Sequence, residues 1–561
     1  MKSLFFSVYR QPVERKYIPL LFPVFCILGL FADPGFTQSS STTTAILKTT
    51  PVQFEPAVLP DLAASGVQGA TGAHSSLSVE VLQKPAGSSQ PSPTDSHAGI
   101  QHPGLREIPS AAWITPFVAL LLAIAIFPLV PSLSHWWEHN SSKLLVAAAL
   151  GVVTIAYYWL RDFGFPHGGH ATDTGLDAVL AMLRHAVIDD FIPFIVLLFS
   201  LFVISGGISV SSNVPAHPKT NTFILALGGL LASFIGTTGA AMLLIRPLLQ
   251  INQERRFVVH TVVFFIFVVC NIGGSLLPVG DPPLFLGYLR GVPFLWTFHL
   301  VFEWAFCLVF LLVVYFFWDL WAWKKEPPES ILQDATTKEP IRIQGLHNFA
   351  LLLGVVLCVA LLVPGKVLLG WTVPHLFPIG IREMAQILLA GLSMVLTRKA
   401  IREANNFNFT AIGEVACLFI GIFITMQVPI EILNARGSQL GLATPAHFFW
   451  ATGVLSSFLD NAPTYVVFFQ TAGTLPWSNP DQLMSGVQTT TGTIPVPLLI
   501  AISLGAVFMG ANTYIGNGPN FMVKSIAEQA GIKMPSFFGY MLYSIGILIP
   551  LFILITLIFI H

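Results

Sequence analysis

Two short stretches of this chain place oxygen-bearing and amide side chains where apolar residues otherwise run unbroken. Residues 274–283 read Gly274-Ser-Leu-Leu-Pro-Val-Gly280-Asp281-Pro282-Pro283, and residues 510–519 read Gly510-Ala-Asn-Thr-Tyr-Ile-Gly516-Asn517-Gly518-Pro519. At one constant offset Gly274 meets Gly510, Gly280 meets Gly516, Asp281 meets Asn517 and Pro283 meets Pro519. Each stretch follows a segment with a polar tip: Ser233-Phe-Ile-Gly236-Thr237-Thr238-Gly239 in one case, Ser456-Ser457-Phe-Leu-Asp460-Asn461-Ala-Pro463-Thr464 in the other. Hydroxyls, amides, carbonyls and two carboxylates are the ligands a hard cation prefers. A carboxylate can also take up a proton, lose its charge and release the ion. The chemistry on offer is reversible binding of a cation and a proton, with Asp281 and Asp460 at its centre. Glu414 and Glu303, each in an apolar span, are secondary candidates, together with Asn271 and Ser275.

The elements that must position these groups are interrupted helices. Glycine supplies a sharp turn, and proline lacks the N–H that a break leaves unpaired. Asp281 and Asn517 fall at N-cap positions, with Pro282 at the first helical position. Thr237–Thr238 and Asp460–Asn461 with Pro463 have the same capping character. Open backbone at membrane depth survives only against protein or a water-filled cavity. An unpaired carboxylate there is costly enough to be a functional candidate by default.

Composition requires the membrane. The chain has 561 residues, 54% of them hydrophobic and 10% charged, with a net charge of −1. A soluble protein carries about 25% charged residues, and nucleic-acid binding needs a strongly basic surface. Cys26, Cys270, Cys307, Cys358 and Cys417 lie in apolar runs without metal-ligand or redox spacing. No Walker loop, dinucleotide fingerprint or HExxH is present. ATP drive and zinc hydrolysis therefore lack support, and the chain does not read as an enzyme.

Residues 1–36 read as a signal peptide or signal anchor. Residues 37–109, rich in Ser, Thr, Gly, Pro and Gln, read as a disordered extracytoplasmic tail. Apolar spans follow at 111–134, 144–160, 190–208, 222–250, 257–289, 299–323, 346–363, 384–397, 411–428, 447–472, 496–523 and 537–560, four of them interrupted (222–250, 257–289, 447–472 and 496–523). A short helix at 176–187 is expected to lie at the interface. If 222–250 and 447–472 dip in and return as re-entrant hairpins, fourteen basic residues fall on the cytoplasmic side against six outside, in keeping with the positive-inside rule. The fold expected is an all-α polytopic membrane protein. A first transmembrane repeat (110–323) and a second (346–561), inverted relative to it, are joined by a cytoplasmic linker (324–345). Inverted repeats of broken helices around a central site are the pattern of secondary transporters.

The stretches Asn271-Ile-Gly-Gly-Ser-Leu-Leu-Pro-Val-Gly-Asp-Pro-Pro283 and Ser457-Phe-Leu-Asp-Asn-Ala-Pro-Thr464 resemble those of the ion transporter superfamily. Within it they are most similar to NhaD-type sodium/proton antiporters and their citrate-transporter relatives; arsenite-efflux and dicarboxylate/sodium symporter families are more distant. The resemblance spans about 111–560. It implies two inverted repeats working as a homodimer, with cation sites where each tip meets its break. Thr237, Thr238, Gly280 and Asp281 would form one site. Asp460, Asn461, Thr464, Asn517 and Gly518 would form the other. Both tips depart from the Ser-Asn-Thr signature of the dicarboxylate symporters, which favours cation exchange.

The function expected is a secondary antiporter exchanging Na+ (or Li+) for H+ by alternating access. No cofactor is expected, only the transported Na+ and H+; the partners are the lipid bilayer and a small ion, with no nucleic acid. The alternative is a citrate or dicarboxylate carrier coupled to cations. The sequence shows no obvious intramembrane arginine or lysine to pair with a polyanion, which counts mildly against that alternative. The location expected is the bacterial inner membrane, with the N-terminal tail outside the cytoplasm.

Overall fold

The computed structural model describes residues 108–560 apart from 168, 169, 331–338, 369, 375, 377 and 476–485. The expectations for residues 1–36 and for the tail up to 107 lie outside the described residues. Helix dominates, because a helix satisfies its own N–H and C=O groups where no water can. Strands occur as four two-stranded antiparallel pairs, with no barrel among the described residues.

Five helices among the described residues are long and apolar enough to cross a membrane: Asn140–Leu160, Leu176–Ser205, Phe294–Trp323, Thr410–Leu440 and Phe537–Phe559. Four apolar helices are shorter, namely Thr237–Ile251, Val259–Ser275, His347–Leu361 and Val496–Asn512. A crossing takes about 20 residues. Two of the short ones, Val259–Ser275 and Val496–Asn512, end at the expected interruptions, and Thr237–Ile251 begins at one.

The helices that carry the site are α1 (Pro218–Ile235), α2 (Thr237–Ile251), α3 (Val259–Val268), α4 (Pro282–Leu289), α5 (Val301–Trp323), α6 (Pro445–Phe458), α7 (Asn461–Gly473), α8 (Val496–Met509) and α9 (Gly518–Gln529). Gly236 alone joins α1 to α2, at φ 79° and ψ 149°, a conformation that strains any residue with a Cβ. Leu459 and Asp460, both extended, join α6 to α7. A single turn of 3₁₀ helix leads into each break, at Ile272–Ser275 and Gly510–Asn512. Nearly every residue of α3 and α8 is buried, as expected for helices that are apolar all round. The packing then crosses over: α4 lies against α7, and α9 against α2. The helix leaving each break is thus seated on the helix leaving the opposite tip.

The structure differs from expectation in three places. Residues 176–187 do not form a separate surface helix; they run through a wider π-helical stretch, Arg184–Phe191, into Ile192–Ser205 as one 30-residue helix. Asp190 can sit inside it because Arg290 neutralises it at 3.0 Å. The helix starting at Thr410 continues to Leu440. It carries Glu431, which is buried against Arg161 at 2.8 Å and Tyr158 at 2.9 Å. The linker is also more than a loop: β1 (Ser209–Asn213) pairs with β2 (Glu339–Gln344), placing Ser209 opposite Gln344 and Ser211 opposite Arg342.

A further buried cluster fastens α5 to its neighbours. Asp319, fully buried, accepts from Arg255 at 2.6 Å, Tyr315 at 3.2 Å and Asn221 on α1 at 3.2 Å, and contacts His260 on α3 at 2.9 Å.

Candidate functional site

The two breaks are shaped by close backbone contact. A Cβ on Gly280 would stand 2.2 Å from the Gly274 carbonyl oxygen, and one on Gly516 would stand 2.6 Å from that of Gly510. Serines tie each tip to its break. Ser233 Oγ donates to the Gly273 carbonyl at 2.5 Å and accepts from the Leu276 N–H at 3.0 Å. In the other half Ser457 Oγ donates to the Met509 carbonyl at 3.2 Å, and Thr513 Oγ1 donates to the Ser457 carbonyl at 2.5 Å. The Thr237 N–H donates to the Gly280 carbonyl at 2.8 Å. These bonds absorb polar groups that the interrupted helices would leave orphaned.

Asp281 lies at the centre, 1% exposed. Its Oδ1 accepts from Thr237 Oγ1 at 2.9 Å and from Asn517 Nδ2 at 3.2 Å, and its Oδ2 accepts from Asn461 Nδ2 at 2.6 Å. Asn517 also donates to the Cys270 carbonyl at 2.9 Å and lies 3.3 Å from Asn271 Oδ1. Asn271 in turn donates to Asn520 Oδ1 at 2.8 Å. Asp281 and Asn517 do occupy the N-cap positions of α4 and α9, yet neither side chain caps its helix; both turn inward to this network.

The electrostatics follow from that arrangement. The N-terminal ends of α2, α4, α7 and α9 meet at Asp281, and each carries the positive end of its peptide dipoles. No basic side chain is among the hydrogen-bond partners of Asp281. Asn461 Oδ1, on the amide that donates to this carboxylate, is buried and has no hydrogen-bond partner among the described residues. A carboxylate and the unpartnered amide oxygen of the asparagine bound to it are a start on the oxygen shell of a hard cation.

A family model described as putative citrate transport matches residues 106–560, a range that takes in both tips and both breaks. The chain belongs to the putative citrate transport family. That family is part of the ion transporter superfamily. It is a transporter family and not an enzyme class, and with the apolar helices it makes this a multi-pass membrane protein. None of the curated proteins matches the chain.

In this member of the citrate transport family the candidates separate into groups. Asp281, Thr237, Asn461, Asn517 and Asn271 form one connected network, to which Gly280 contributes its carbonyl. Asp460 instead caps its own helix, accepting from the Ala462 N–H at 3.1 Å, and Thr464 donates back to the Asp460 carbonyl at 3.0 Å. Ser275 donates locally to the Ile272 carbonyl at 2.9 Å. Thr238 is half-buried, and a Cβ on Gly518 would meet nothing within 4 Å. Glu414 pairs with Lys143 at 2.8 Å. Glu303 sits in the first turn of α5.

The expectation of one site per half therefore meets a different arrangement. Asn461 and Asn517, assigned to the second site, donate to the carboxylate assigned to the first. The crossed packing of α4 on α7 and α9 on α2 brings them there. Asn520, fully buried, escaped the sequence reading. It donates to the Gly510 and Thr513 carbonyls, both at 2.9 Å. An amide so close behind Gly518 and Pro519 in an apolar run was its only signal. Three basic residues counted in loops are placed differently: Arg161 and Arg290, each just past a helix end, are buried in ion pairs, and Arg246 falls within α2.

Proposed function

We propose that this chain is a secondary active transporter of citrate or a related carboxylate moved together with a cation, and that cation and proton compete for Asp281. The observation that carries this reading is the convergence of four helix N-termini on one buried carboxylate in a member of the citrate transport family. Helix N-termini attract carboxylates. A cation held by Asp281 and Asn461 Oδ1 would add the counter-charge that no basic side chain at the tips supplies. Protonation of Asp281 would remove the charge that holds the cation.

Alternating access belongs to the same reading. The constant offset between the breaks and the crossed packing support two inverted repeats, 110–323 and 346–561, with α1–α2 and α6–α7 as re-entrant hairpins. The hairpin-bearing core would move against the remaining helices, in a homodimer, in the bacterial inner membrane with the N-terminal tail outside.

Exchange of Na+ for H+ without a carboxylate is the second reading, and the lack of a basic partner at Asp281 favours it. Proteoliposomes separate the two. Labelled-citrate uptake that requires a Na+ or Mg2+ gradient, and that no longer responds to the gradient in Asp281→Asn, supports the first. Proton flux on adding Na+, with no citrate uptake under any gradient, overturns it in favour of exchange.

A further inference from the structure

Along α2 every residue is buried except Thr238, Met242, Arg246 and Gln250. Their spacing of four places them on one ridge of the helix. The ridge starts beside Thr237, whose hydroxyl touches Asp281, and leads away from the site. Facing hydrocarbon, an arginine and a glutamine would be expensive; lining a water-filled path they are not.

Arg246 is the distinctive member of the ridge. Its Nη1 is buried and has no hydrogen-bond partner, and no carboxylate pairs with it among the described residues. Arg161, Arg255, Arg290 and Arg382 each have an acidic partner within 3.0 Å. A guanidinium with no acidic partner keeps planar N–H donors that suit a carboxylate in pairs. Thr238 and Arg246 are eight residues apart, roughly 12 Å along the axis. Helical side chains also lean toward the helix N-terminus, which here is the tip.

We propose that Arg246 is an anion-binding residue of the transport path, taking one carboxylate of the substrate on the ridge Thr238–Met242–Arg246–Gln250 between the membrane surface and the Asp281 site. The proposal rests on the carboxylate reading above. A lipid phosphate offers the same chemistry, and the experiment separates the two sources.

Citrate KM and kcat are measured in proteoliposomes of phosphatidylcholine alone and of phosphatidylcholine with phosphatidylglycerol. In both, Arg246→Gln raises KM roughly tenfold or more, the size of a lost hydrogen bond to a charged group, and leaves kcat within about twofold. Arg246→Lys falls between, since an ammonium restores the charge but not the fork. In an otherwise natural chain, Met242→Cys reacts with a cationic methanethiosulfonate and citrate slows the reaction, whereas Leu243→Cys on the buried side does not react. An unchanged KM in Arg246→Gln, or a change seen only with phosphatidylglycerol present, overturns the proposal and assigns Arg246 to lipid headgroups. So does labelling of Met242→Cys that citrate leaves unaffected, a test that stands even if Arg246→Gln does not fold. A wild-type protein that carries no citrate removes the underlying reading first, before any substitution is made.

Discussion

Asn461 donates to Asp281 Oδ2 at 2.6 Å although 180 positions separate them in the chain. The carboxylate of one break is therefore held by the tip of the other half. Any displacement of α7 relative to α4 acts directly on this group, and filling or emptying its surroundings acts back on how the two halves meet.

Substituting Asp281 should separate charge from shape. Asp281→Asn keeps the volume and loses the charge, so uptake should lose its cation dependence. In the wild type a falling pH protonates the carboxylate and weakens cation binding, so the apparent KM for the cation should rise. In the variant, uptake should vary neither with the cation nor, over the same range, with pH. Asp281→Ala also strands the buried amide of Asn461, at about 1–3 kcal/mol, while Asn517 keeps the Cys270 carbonyl; thermal unfolding in detergent should show the loss.

Asp460 should behave differently. Its side chain accepts from the Ala462 N–H, a role asparagine fills equally well. Asp460→Asn is expected to leave both stability and cation-dependent uptake near wild type, and Asp460→Ala to cost about 1 kcal/mol. Abolished uptake in Asp460→Asn, with unfolding unchanged, would return this residue to the transport site.

The glycines make a geometric test. Gly280→Ala brings a methyl group within 2.2 Å of a backbone oxygen, whereas Gly518→Ala meets nothing within 4 Å. The first should give little folded protein by size-exclusion chromatography. The second should elute and unfold as the wild type does.

Asp319 tests whether the buried cluster is structural. Asp319→Asn removes the nearer of two counter-charges of Arg255, leaving Glu326 at 3.5 Å, and should destabilise the protein by at most about 3–5 kcal/mol. Uptake per folded molecule should stay near wild type, since none of its partners belongs to the Asp281 network. Stability is read by unfolding and uptake is normalised to folded protein.

The breaks themselves were legible in the sequence. Gly274, Gly280, Pro282 and Pro283, and Gly510, Gly516 and Pro519, stand out in apolar runs, and each ends or starts a helix close to where the residues imply. The network around Asp281 was legible only in part. Residue type marks Asp281, Thr237, Asn461 and Asn517 as polar ends, but spacing along one chain does not say which ends meet, and crossed packing decided that Asn461 faces Asp281 while Asp460 serves its own helix. The buried ion pairs were hidden for a related reason. Asp190 and Arg290 look like surface charges one at a time, and only the fold brings them together.

The strand pair β1–β2 has a mechanical consequence. It stitches the segment joining the two halves, backbone to backbone, to chain that ends just ahead of α1. Residues 214–217 are the only slack between that seam and Pro218. Four residues pulled taut reach roughly 14 Å. At this corner the start of α1 is on a short leash, whose length sets an upper bound on how far Pro218 can stand from the seam.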